Sequence, residues 1–66
     1  MLVITGFNDE DTRQVRLTVS RDSKDMLVLR FYEPVEGDYF SDELEGRKTA
    51  SIRLELADSD ALRKNL

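Results

Sequence analysis

The chain has 66 residues, with fourteen Asp or Glu against ten Lys or Arg, a formal net charge of −4, and no Cys, His or Trp. That composition excludes a disulfide scaffold, thiolate and imidazole metal sites, and catalysis built on a Cys nucleophile or a His base. The longest apolar run, Met26-Leu27-Val28-Leu29, is far short of the about 20 residues a membrane-spanning helix needs, and Met1 leads straight into Leu2, Val3 and Ile4 with no basic segment before them, so one cytoplasmic domain over residues 1–66 is expected.

In chain order, Leu2 to Thr5 is a short β-favouring stretch, and Gly6 to Thr12 reads as a polar turn. From Arg13 the pattern alternates strictly: Val15, Leu17 and Val19 fall on one face, Arg16, Thr18 and Ser20 on the other. That period of two predicts a half-buried strand. Arg21 to Asp25 is a charged turn of hairpin length, and a strand from Met26 to Tyr32 follows it. Pro34 stops this strand, because proline has no N–H to give a sheet ladder.

Residues 33–46 form a long connection with two Gly and one Pro. Then Ala50, Ile52, Leu54 and Leu56 alternate with Ser51, Arg53 and Glu55, which predicts the last strand. The closing run from Asp58 to Leu66 suits a short helix. Asp58 or Ser59 would cap it, Arg63 and Lys64 lie near its negative end, and Leu62 and Leu66 share a face. The predicted class is α+β: a small four-stranded antiparallel β-meander with one short C-terminal helix, in the order β-β-β-β-α.

Pairing Ser20 with Met26 across the charged turn sets Val19 opposite Leu27, Leu17 opposite Leu29 and Val15 opposite Phe31, so apolar residues meet apolar residues. Leu17, Val19, Leu27, Leu29, Phe31, Ile52 and Leu54 are then the expected core, with Leu62 of the helix against them. The other face would carry Arg16 opposite Arg30, with Tyr32 and Arg53 beside them. A short helix covers one side of a sheet, so this Arg and Tyr face is the expected open one, with a composition enriched at protein interfaces. An ordinary solvated face, with Arg stems lying over it, is the simpler reading.

The connection holds six acids, Glu33, Glu36, Asp38, Asp42, Glu43 and Glu45, and no base up to residue 45; the other 53 residues hold eight acids and ten bases, a net of +2. The acidity therefore belongs to one loop. Tyr39 and Phe40 sit in its middle, either as anchors to the core or as side chains offered to a partner. Ser41 suits the cap of one helical turn through Glu45, ended by Gly46. In a meander the Asp9-Glu10-Asp11 tip lies at the same end of the sheet, with Arg13, Arg47 and Lys48 partly offsetting the charge. Charged loops ordinarily serve solubility. The functional alternative is an anionic docking surface built on Glu36, Asp38, Tyr39, Phe40, Asp42, Glu43 and Glu45 and facing a basic groove on another protein, in the manner of a nucleic-acid mimic. A cation site fits poorly: Asp9 and Asp11 begin a D-x-D, but the glycine and terminal glutamate of a calcium loop do not follow.

No catalytic motif or cofactor motif is present, and Gly6, Gly37 and Gly46 are too widely spaced for a phosphate loop. Direct nucleic-acid binding is disfavoured by the net acidity and by the lack of basic clusters with interleaved aromatics. The expected function is therefore a small non-catalytic interaction protein, an inhibitor or modulator that docks its acidic loop or its open sheet face on a larger protein. In size and charge alone the chain resembles the small accessory and inhibitor proteins that phages encode, anti-CRISPR proteins among them, some of which occupy the DNA-binding groove of a nuclease complex. The alternative is a structural subunit, a homodimer or larger homo-oligomer or part of a viral particle, associating through the sheet face.

Overall fold

A computed structural model describes residues 1–42 and 46–65. It contains β1 (Leu2–Phe7), β2 (Gln14–Arg21), β3 (Leu27–Glu33) and β4 (Arg47–Arg53), followed by helix α1 (Leu56–Asn65). The strands form one antiparallel sheet in the order β1-β2-β3-β4. The fold is thus the α+β meander with a closing helix.

Both of the first two turns are built by a side chain that substitutes for missing ladder bonds. Asn8 Oδ1 accepts the Thr12 and Arg13 amides at 2.8 and 3.2 Å, and Asn8 Nδ2 donates to Thr12 Oγ1 at 2.9 Å. In the second turn, Asp22 Oδ1 accepts the Lys24 and Met26 amides at 2.9 and 3.0 Å. Each turn also closes through a backbone bond three residues on, from Asp11 N to Asn8 O and from Asp25 N to Asp22 O, both at 3.0 Å. The residue that closes it has positive φ, 58° at Asp11 and 62° at Asp25. Aspartate and asparagine are among the few non-glycine residues that visit this region readily. The two tips therefore share a plan, an Asn or Asp side chain at the start and a positive-φ Asp three residues on, although the first is one residue longer.

Asp22 also reaches across the sheet. Its other carboxylate oxygen pairs with Arg53 Nε, which ties the second turn to the end of β4. The Arg53 guanidinium, and next the Met26 amide, hold the Asp22 carboxyl at about 2, below its ordinary 3.8. A carboxyl depressed on folding stabilises the fold above its unfolded value, and that contribution disappears as pH falls through the folded value. Stability is therefore expected to drop between pH 3.8 and about 2. Asp22→Asn should flatten this part of the profile in thermal melts, and an unchanged acid limb would show that the pair contributes nothing in solution.

The register is two residues away from the expected one. Arg21 pairs with Leu27, Val19 with Leu29 and Leu17 with Phe31, so Thr18 lies opposite Arg30 and Arg16 opposite Tyr32. A shift of two preserves every side chain's face. The cause is the turn: Asp22 accepting the Met26 amide keeps Met26 inside the loop, and pairing starts one residue later on each strand. This register also separates Arg16 from Arg30, which would have repelled each other as direct partners.

The last strand differs more. β4 begins at Arg47 and ends at Arg53, with a bulge that sets Phe31 opposite Ala50 but Tyr32 opposite Lys48. The extra residue is Thr49, whose hydroxyl donates to Phe31 O at 3.4 Å. The alternating Leu54–Leu56 segment predicted as strand instead turns into α1. Leu54 N gives one more bond to Leu27 O at 2.9 Å, and the Ser59 amide already donates to Glu55 O at 2.8 Å. Ser59 is therefore an interior helical residue and not the cap. It is fully buried, and its Oγ accepts the Leu27 amide at 3.4 Å, docking the helix at the end of the sheet where β3 begins.

Candidate functional site

The sheet has two faces of opposite chemistry, and the covered one is not the one that periodicity selects. One face carries Arg16, Thr18, Val28, Arg30 and Tyr32, of which Arg16, Thr18 and Val28 are buried. The connection after β3 folds back over it. Pro34 is fully buried, the Gln14 amide donates to Asp38 O at 2.8 Å, and the Phe40 amide donates to Gln14 Oε1 at 2.8 Å. The Phe40 ring lies under the Arg16 guanidinium, 4.0 Å from its carbon to the ring centroid. Arg16 Nε donates to Thr5 Oγ1 at 2.9 Å and its Nη1 to Asp42 O at 3.3 Å. Tyr39 is exposed but meets Phe7 edge to face, with centroids 6.2 Å apart. Gly46 completes the lid: a Cβ there would lie 3.2 Å from both Phe40 Cε1 and Tyr32 Cβ, and its φ of 155° disfavours any side chain.

The physical reason is the loop's backbone. An irregular segment carries N–H and C=O groups that need partners wherever it is not solvated. The Gln14, Arg16 and Arg13 side chains supply them; Arg13 Nη2 reaches Pro34 O at 3.5 Å. An apolar face has none to offer.

Arg16, read from the sequence as part of an open interface, is buried beneath the loop; Tyr32 is half-buried beside Gly46, and Arg30 is half-buried with its Nη1 on Ser20 Oγ at 3.3 Å. Arg53 is exposed but engaged by Asp22. Among the loop candidates, Glu36, Asp38, Tyr39 and Asp42 are exposed and Phe40 is half-buried. Glu43 and Glu45, and the helical turn expected from Ser41, lie outside the described residues. Loops 8–13 and 34–42 do share one end of the sheet. Glu33 is flanked there by Arg13 at 3.6 Å and Arg47 at 3.7 Å, while Asp9, Glu10, Asp11, Glu36 and Asp38 face solvent. Among the described residues no three carboxylates come together as a metal-binding group.

The opposite face is apolar and open. Two rows cross all four strands: Ile4, Leu17, Phe31, Ala50, and beside it Leu2, Val19, Leu29, Ile52. On the edge strands Leu2 is 55%, Ile4 49% and Ile52 52% exposed, and in the middle Phe31 is 36% exposed. Leu17, Val19 and Leu29 are half-buried, shielded by their neighbours. Of the expected core only Leu27, where the helix docks, is buried. An open groove of about 510 Å³, lined by Met1, Leu2, Val19, Ser20, Arg21 and Leu27, extends the surface at that end.

The helix cannot cover this face. Its sequence, LADSDALRKN, has too few apolar positions to make a broad stripe, and Leu62 is only half-buried. That weakness is visible in the sequence and is the signal that the periodic apolar face lacks a cover among the described residues; Leu66, expected beside Leu62, lies outside them. No helix among the described residues is long and apolar enough to cross a membrane. No protein-family model, curated protein or solved structure matches this chain.

Proposed function

We propose that this is a small non-catalytic interaction protein that docks through its apolar sheet face. The observation that carries this reading is the eight-residue apolar grid, open to solvent across four strands. Contiguous apolar patches of this size on small proteins mark sites of association. The absence of Cys makes single-cysteine labelling direct. Ile4→Cys and Ile52→Cys on the apolar face are compared with Lys48→Cys on the other, both in purified protein and in extracts of source cells. Labelling at positions 4 and 52 is expected to be at least tenfold slower than at position 48 in one or both preparations. Equal rates in both would overturn docking through this face.

The acidic end supports a second reading, in which exposed carboxylates of the 8–13 and 34–42 loops meet a basic partner. Its specific observation is that the 34–42 loop is fastened to the two strand ends that flank the 8–13 loop, through Gln14 N on Asp38 O and Phe7 on Tyr39. The double variant Glu36→Lys, Asp38→Lys separates the readings. Loss of protection at positions 4 and 52 would place the acidic loops in the interface, while retained protection leaves the apolar face as the docking surface. In that case the acids contribute to encounter rate and solubility.

A further inference from the structure

We infer that the occupant of the apolar face is a second copy of this chain, packed sheet on sheet about a two-fold axis. The inference rests on the docking reading above and names its partner.

Size is the first argument. Strands about 4.8 Å apart and seven residues long, at about 3.3 Å per residue, make a four-stranded face of roughly 19 × 23 Å. Two such faces remove roughly 900 Å² of projected area, and more once side-chain relief is included, which reaches the about 1,000 Å² expected of a specific interface. Shape is the second. The radius of gyration is 13.1 Å and the smallest dimension 16 Å, whereas a compact domain of this length has a radius near 11 Å. The chain is a flat half of a core, and among its described apolar side chains those of Leu27, Val28 and Pro34 are buried. Chains this small that lack disulfides and metals commonly complete their core by association.

Charge is the third. Each copy carries −4 overall, yet the grid itself holds no charged residue. At its border, Glu33 lies between Arg13 and Arg47, and Arg21 pairs with Asp25 at 2.9 Å. The exposed carboxylates of Asp9, Glu10, Asp11, Glu36 and Asp38 are gathered at one end of the sheet. A two-fold axis lying between the sheets and perpendicular to the strands sends the two acidic ends to opposite ends of the dimer. The same operation lays the row Ile4, Leu17, Phe31, Ala50 over the row Leu2, Val19, Leu29, Ile52 of the other copy. Small Ala50 then faces large Ile52, and Phe31 faces Leu29. Within the usual rotation of about 30° between packed sheets, this is the interior of an aligned β-sandwich. Face and symmetry therefore agree: the patch is self-complementary, as an isologous interface requires.

The test uses the purified full chain. Light scattering on a size-exclusion column is expected to give twice the monomer mass at micromolar concentration. Labelling of Ile4→Cys and Ile52→Cys should slow at least tenfold between sub-micromolar and high-micromolar protein, with Lys48→Cys unchanged. Ile52→Glu and, separately, Ile4→Glu should elute as folded monomers, with far-UV circular dichroism confirming the sheet. Because each substitution is at an exposed edge-strand position, loss of fold in both would itself contradict the open-face geometry. A monomer whose labelling does not change with concentration overturns the second copy. If protection then appears in cell extract, docking stands with a different partner; if it appears nowhere, both fall. A dimer that persists in both glutamate variants also overturns the inference, because another surface would then be the interface.

Discussion

Phe40→Ala is expected to lower stability by about 2–3 kcal/mol, at or below the lower end of the range for truncating large aromatics because the ring is half-buried. Arg16→Ala should cost about the same. It removes a buried guanidinium that donates to Thr5 and to the Asp42 carbonyl, and leaves those acceptors without it. The two losses should not add. With the guanidinium carbon 4.0 Å from the ring centroid, the stacked pair is expected to couple by about 1 kcal/mol. Urea unfolding of the wild type, both single variants and the double variant measures this. Strict additivity would mean that the loop is held by its backbone bonds to Gln14 and that the stacked pair is incidental. Because a small domain has only about 5–15 kcal/mol in total, the double variant, destabilised by about 3–5 kcal/mol, should be only marginally stable if the wild type lies near the bottom of that range.

The second large effect concerns Leu29, at the middle of the apolar grid. Leu29→Ala in a buried environment costs about 2–5 kcal/mol, through lost transfer energy and a residual cavity. In an isolated chain Leu29 is only half-buried, and about half of that cost is expected. In the paired state the full cost applies. The destabilisation should therefore grow with protein concentration when unfolding is followed from sub-micromolar to high-micromolar samples. The wild type should gain stability over the same range by mass action, and the variant should gain less. A cost that is the same at both ends of the range would show that Leu29 has the same neighbours throughout, which is incompatible with a face that becomes covered. Ile52→Ala, at an edge position, should follow the same trend with a smaller amplitude.

These expectations give the acidic loop two separable roles. Its aromatic and backbone groups hold the Arg16 side of the sheet closed, and the carboxylates of Glu36 and Asp38 stay in solvent. A single substitution can address one without the other. Tyr39 belongs to the first group despite its exposure, because its ring meets Phe7 edge to face and so fastens the loop to the end of β1.

Much of the fold is legible in the residue order. The alternation of Val15, Leu17 and Val19 with Arg16, Thr18 and Ser20 determined a strand and its two faces, because a period of two leaves no other regular geometry. Pro34 determined the end of β3. The meander order followed from short connections, which leave consecutive strands as neighbours. The run Asp58 to Asn65 determined a helix, although its start fell at Leu56, inside a segment that alternates like a strand. There local pattern was ambiguous, and the backbone bond from Ser59 N to Glu55 O, with Ser59 buried against Leu27, decided it.

Two matters lay beyond local pattern. The register depended on Asp22 accepting the Met26 amide, a side-chain bond that adds a residue to the turn without changing the alternation around it. Which face is covered depended on competition between two possible lids, a short helix poor in apolar residues and a loop rich in unpaired backbone groups. The loop went to the face where Gln14 and Arg16 could satisfy those groups and Phe40 could stack, and the apolar face stayed open. Alternation states that two faces differ, but hydrogen-bond supply from residues about 25 positions apart states which one the chain itself can close.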